Sequence, residues 1–341
     1  MANPWRPHRQ SGASCDIIAA MFKTIAIALT VSLSAMAAVK IEKTNYKGWP
    51  NCYRISNGEV ELIITSDIGP RIMRYAFTGG QNVFKEFTEQ LGKSGEATWQ
   101  LRGGHRIWAA PEDPVKTYAP DNGPVHISIQ GDVLTATEPP EALTALEKQI
   151  TVKLSPKGTG VEVRHRLRNT SKQTMEFAAW ALSMMAQGGV GIHGFPPRGT
   201  HPQMLAATNP LVMWAFSDLT DKRWQFTKKY LILRQDANNH GQPQKLGSFN
   251  AHTWAAYLLG SDLFIKHYEA DPKRTYPDFG ASFETFTNAE FLEQETLGPL
   301  SKVAPGASIE HVERWTLHKN VHIREWNDAE LDRVLLPLVA Q

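Results

Sequence analysis

Gly160-Val-Glu-Val-Arg-His-Arg-Leu-Arg-Asn169 alternates without a break. Val161, Val163, His165 and Leu167 fall on one face, and Glu162, Arg164, Arg166 and Arg168 on the other. A period of two with one oily face is the pattern of a half-buried strand. The same period recurs on both sides of this stretch. In Glu59 to Thr65, Val60, Leu62 and Ile64 share a face; Asp67-Ile-Gly-Pro70 turns the chain, and Arg71 to Phe77 returns it to Gly79-Gly80, a hairpin. Val125 to Ile129, Val133 to Thr137 and Lys148 to Leu154 read as further strands. Met175 to Met185 is too uniformly apolar to show a face; it is a buried strand or a helix, and its strand neighbours favour the strand. Gly- and Pro-rich loops follow from Gly194 to Pro202. Thr253 to Leu259 and Leu263 to Glu269 pair across Gly260-Ser-Asp262, and Ser282 to Thr287, Glu290 to Thr296 and Ile309 to His318 complete a β-rich second half.

The expected class is therefore all-β, a large sandwich of antiparallel sheets, with one domain over 39–320. A short helical tail lies within 321–341: Asn327 caps it, Glu330 stands three residues on, and Pro337 limits its length. Residues 1–38 read as a removable leader. Met21-Phe-Lys23 gives a basic start, Thr24 to Met36 a small apolar run, and Ala35-Met36-Ala37 an A-x-A cleavage site near Ala37 or Ala38. The run falls short of the roughly 20 apolar residues of a membrane span. Residues 1–20 are then an extension ahead of a start at Met21, and the expected location is periplasmic or secreted.

Cleavage would remove Arg6, Arg9, Lys23 and Asp16, taking the formal charge from +2 to about 0. A neutral chain lacks the field that gathers nucleic acid or anionic membrane, whereas ten tryptophans suit a stackable, uncharged ligand. Cys15 would leave with the leader, so Cys52 stands alone without a disulfide partner, and no Cys/His spacing reads as a metal site. No cofactor is expected.

Two distant stretches carry the chemistry. Leu101-Arg-Gly-Gly-His-Arg-Ile-Trp108 sets a Gly-Gly turn beside an imidazole, two guanidiniums and an indole. Phe291-Leu-Glu-Gln-Glu-Thr-Leu-Gly-Pro299 sets Glu293 and Glu295 on one face of a strand. Carboxylates so close split their pKa values, leaving one as base and one protonated. Opposite them, Leu292, Gln294 and Thr296 form no clear core stripe, and Gly298-Pro299 suggests a strand ending at a rim. The candidate catalytic groups are Glu293, Glu295 and His105, with Arg102, Arg106, Trp108, Asp278 and Glu284 as candidate sugar contacts. His105 is divided evenly between function and structure. Trp108 offers a flat face to a pyranose or fills a core, and Asp278 serves a sugar or caps a turn. Glu112 and Asp113 read as a solvated turn, His165, His311, Glu313 and Trp315 as structural, and Lys245 and Lys266 have no partner legible in the sequence.

With these segments the chain resembles the galactose mutarotase-like superfamily, and within it a bacterial domain-of-unknown-function branch. The resemblance runs over most of residues 50–318. Gly103-Gly-His-Arg-Ile-Trp-Ala-Ala-Pro-Glu112, Leu292-Glu-Gln-Glu-Thr-Leu-Gly-Pro-Leu300 and Pro305-Gly306…Glu313-Arg-Trp315 carry it. It implies a β-supersandwich with a sugar on a concave sheet face. In aldose 1-epimerases of this kind a C-terminal glutamate takes the anomeric proton and a histidine protonates the ring oxygen; here either Glu293 or Glu295 fills the first role. The epimerase Leu-His-Gly-Gly element appears as Leu101-Arg102-Gly103-Gly104, with arginine in the histidine's place and His105 displaced, and Trp180 stands nearest the second histidine. The expectation is a secreted carbohydrate-binding protein with epimerase-type acid–base activity in question. A structural envelope sandwich, and a lyase or hydrolase of acidic glycans, are the alternatives.

Overall fold

The computed structural model describes residues 38–195, 199–208 and 211–340; the leader expected over 1–38 lies almost entirely outside them. Among the described residues the strands form two antiparallel sheets of eleven and ten strands. The front sheet runs from Lys40–Tyr46 through Arg71–Phe77, His105–Ala110, Met175–Met185, Leu292–Leu297, Phe283–Thr287 and Gln244–Ser248 to Leu211–Met213. The back sheet runs from Trp224–Phe226 through Trp254–Leu259, Asp262–His267, Ser308–His318, Val161–Asn169 and Leu146–Leu154 to His126–Gln130.

Val161–Asn169 behaves as its alternation requires. Val161, Val163, His165 and Leu167 are buried between the sheets, while the arginine face is partly exposed. Opposite them the front sheet contributes Ile72, Tyr75, Ile107, Ala179, Ala181 and Leu292 to the same core. Met175–Met185 is a strand, and its lack of period has a simple cause: it lies in the interior of the front sheet with both faces covered. Strands with no clear stripe were not legible, among them Lys40–Tyr46, Trp49–Ser56, Val190–Gly194 and Gln244–Ser248.

The outer face of the back sheet is partly covered by the C-terminal helix, Asp328–Val339, whose Leu331 and Leu335 pack with Ile192, Trp254 and Ile265. The Asn327 side chain accepts from the Glu330 N–H, as expected of the cap. Pro337 does not end the helix. It falls in the last turn, where few hydrogen bonds remain for a proline to disrupt. Among the described residues no helix is long and apolar enough to cross a membrane.

Candidate functional site

On the outer face of the front sheet the strand register gathers one set of side chains. Leu182 pairs with Arg106 on one side and Glu295 on the other; Trp180 likewise pairs with Trp108 and Leu297. Glu295 pairs in turn with Glu284, and Glu293 with Phe286, which faces Lys245 on the next strand. Directly paired residues point to the same face. Five strands thus bring Arg106, Trp108, Trp180, Lys245, Phe286, Glu293 and Glu295 around one cavity of about 320 Å³. The carboxylates lie mid-sheet, not at a rim, and are buried; Leu292–Leu297 is an interior strand.

Two cations organise this hollow through three ion pairs. Arg106 donates to Glu293 at 3.1 Å and lies over the Trp108 ring, 4.2 Å from its centroid. Lys245 sits between Glu284 at 2.8 Å and Glu295 at 3.0 Å, with its ammonium against the rings of Trp214 and Trp180. Trp180 donates its indole N–H to the same Glu295 oxygen, Oε2, at 2.8 Å. Glu295 Oε1 is buried and has no hydrogen-bond partner among the described residues. Nε and Nη1 of Arg106 and the indole nitrogens of Trp99 and Trp108, all of residues lining the hollow, are in the same condition.

Burial lifts the Glu293 pKa to about 7, with Arg106 pulling it down and Glu295 pushing it up. Burial works against the Lys245 ammonium, but Glu295 and Glu284 outweigh it and hold the pKa above the usual lysine range. Glu284 is pushed well above the carboxylate range by burial, against the pull of Lys245 and with Glu295 and Asp278 adding to the rise. Glu284 stands behind Lys245 and is not in the cavity wall. Asp278, half-buried at φ 49°, acts on Glu284 through its like charge and is likewise outside the wall. Glu112, read as a solvated turn residue, reaches the cavity from its exposed loop and accepts from the Tyr118 hydroxyl.

His105 and Arg102 do not join this group. Successive residues of a strand face opposite ways, so Arg106 in the hollow sends His105 between the sheets, fully buried. There His165 Nδ1 lies 2.9 Å from the His311 carbonyl and must donate to it, which leaves His165 Nε2 to accept from His105 Nε2 at 2.7 Å. His105 Nδ1 then accepts from the Ser183 hydroxyl at 2.8 Å. Burial drives the His105 pKa well below the imidazole range, with Glu313 opposing. A sealed, neutral, fully bonded imidazole cannot pass protons to the hollow.

The same interlayer network explains the missing stripe beside the glutamates. Thr296 bonds to Glu313 and His311, and Gln294 donates to the Ala256 carbonyl. Lys266 finds its partner here in Glu313, at 2.8 Å. Ligand atoms of His105, His165 and Glu313 lie within 4.8 Å of one another, a spacing a metal ion could use. Yet the hydrogen bonds close without an ion, and the Lys266 ammonium already holds Glu313.

Arg102 is buried away from the hollow. Its guanidinium donates to the carbonyls of Gln90 and Lys93 at 3.0 and 2.9 Å and also pairs with Glu96 and Asn122, tying down the loop before it. The adjoining glycines approach protein, not ligand. A Cβ on Gly103 would stand 2.0 Å from the Lys85 carbonyl oxygen, and one on Gly104 2.5 Å from that of Ile72. Trp180 and Lys245, two of the lining residues not singled out as site candidates, carried little signal: one lies in a mostly apolar run, the other in a strand with polar residues on both faces.

No protein-family model matches this sequence, and no curated protein matches it. Solved structures do share the fold. The Slr1438 protein from Synechocystis sp. PCC 6803 aligns at a TM-score of 0.51 and 14% identity, over 82% of this chain and 99% of its own. A galactose mutarotase-like protein from Lactobacillus casei ATCC 334 aligns at 0.50 and 13%, over 79% and 100%. The architecture is that of a galactose mutarotase-like β-sandwich.

Proposed function

We propose that the front-sheet hollow binds a pyranose ring and that Glu295 and Glu293 serve it as base and acid. The supporting observation is the set of buried, unpartnered polar atoms around it. Glu295 Oε1 calls for a donor, while Arg106 Nε and Nη1 and two indole N–H groups call for acceptors. Leaving such atoms unmet costs about 1–3 kcal/mol each. A sugar supplies hydroxyls of both kinds, and its C–H faces suit Trp108 and Trp180.

In this reading Glu295 takes the proton from the anomeric hydroxyl as C1=O forms. The bond from C1 to the ring oxygen breaks, and Glu293 gives that oxygen its proton. Rotation about C1–C2 and the reverse transfers close the other anomer. Lys245 and Trp180 orient Glu295. Glu284 and Asp278 act by positioning, and Arg106 holds Glu293 while its free N–H groups meet the sugar. The histidine role thus passes to a carboxyl whose pKa of about 7 fits donation near neutrality. Saturation-transfer NMR on a panel of aldoses tests this. Exchange should fall about 100-fold or more in Glu295→Gln and in Glu293→Gln; wild-type protein that binds sugar without exchange would leave a binding protein only. Export, with residues 39–320 as the mature sugar-binding domain, completes the proposal. N-terminal sequencing of the protein from the periplasmic fraction should begin near Val39.

A further inference from the structure

A second cavity of about 230 Å³ adjoins the first, and Trp108 and Glu112 line both. Its apolar lining comes from Leu146, Met175 and Phe177, and its fixed polar groups are Lys148 and Glu141. Lys148 is buried, pairs with Glu141 and lies 3.7 Å from Glu138. The acid–base pair has no use for this space. Its apolar surface with a few anchored charges repeats the chemistry of the first hollow, and Trp108, whose indole nitrogen has no partner among the described residues, lines both cavities.

Charge narrows the occupant. Around the first cavity Glu112, Glu293 and Glu295 face Arg106 and Lys245; around the second Glu112, Asp113, Glu141 and Glu176 face Lys116 and Lys148. With Glu293 holding its proton, two acids balance two bases around the first cavity. Around the second, four acids face two bases, so a uronate or phosphorylated unit there would meet an excess of like charge.

We infer that the two cavities are consecutive subsites for an uncharged sugar of at least two residues, its reducing ring in the first and the next ring beyond Trp108. This rests on the reading of the first hollow as a sugar site. The orientation follows from that reading, because only the reducing ring carries a free anomeric hydroxyl for Glu295.

Calorimetric titration of the full chain with glucose and galactose, and with maltose, cellobiose and lactose, tests it. At least one disaccharide should bind about tenfold or more tighter than glucose or galactose. Met175→Trp, which fills the second cavity, should remove that gain and leave the monosaccharide affinity unchanged. Glu176→Trp, at an exposed position, repeats the block if the first variant fails to fold. Monosaccharides that bind as well as every disaccharide would overturn the second subsite while sparing the first. No binding by any of the five would remove the sugar reading itself, and this inference with it.

Discussion

At Glu293 burial and a neighbouring carboxylate leave a carboxyl that changes charge near neutrality, and this gives the site a pH signature. Its folded pKa of about 7 lies above the ordinary 4.5, so the native state holds the extra proton between those values. The associated stability is therefore present below 4.5 and lost as pH rises through 7. The donor form is lost over the same range, so anomer exchange should decline above about pH 7. A rate flat from pH 6 to 9 would remove Glu293 from the acid's role. His105 gives the converse case. His105→Asn should lower stability by about 1–3 kcal/mol through its broken network. Exchange per folded molecule should stay within a few-fold of wild type. A 100-fold loss with the fold intact would return the imidazole to the chemistry.

Among the elements, the turn into His105–Ala110 shows how a motif can look like a ligand loop and be a packing device. Gly103 has φ 93° and no room for a methyl group beside Lys85. Gly103→Ala should therefore destabilise the fold by more than about 2 kcal/mol, measured by urea unfolding, whether or not sugar is present. A near-neutral result would mean that the Lys85 backbone can retreat. Alternation made the strands legible wherever one face is oily and the other wet, as in Val161–Asn169. It failed for Met175–Met185 and Gln244–Ser248, where both faces are covered and the pattern records burial twice. The helix cap was legible because Asn327 and Glu330 act within one turn; Pro337 misled because its effect depends on how much helix follows.

Across the whole molecule, a charged layer between two sheets makes the fold acid-sensitive. Burial lowers the pKa of His165 to about 4 and of His311 to about 3, and both are neutral at pH 7. Below 6.5 the unfolded chain takes up protons that the folded chain refuses, so stability should fall as pH drops from 6.5 toward 3. Glu313 adds to this. Burial opposes its charge, but Lys266 and the nearby histidines hold its pKa well below the usual range, a contribution lost as acid protonates it. Glu293, Glu284 and Glu138, whose pKa values are raised, act in the opposite direction over this range. The test is therefore differential: wild type should lose melting temperature relative to His165→Gln as pH falls from 6.5 to 4, and a constant difference would contradict the buried network. Glu313→Gln, which strands the Lys266 charge, should cost about 3–5 kcal/mol.

The sequence by itself determined the antiparallel β class and the common face of Glu293 and Glu295, because a period of two is a local property of extended backbone. It even contained the separation of His105 from Arg106, since neighbours on a strand cannot look into the same hollow. Only the tertiary structure decided which face of the front sheet is sealed by a second sheet and which carries the hollow at Trp108 and Trp180. That choice arises from stacking and register across strands nearly two hundred residues apart. No periodicity within one strand encodes where its partner sheet will lie.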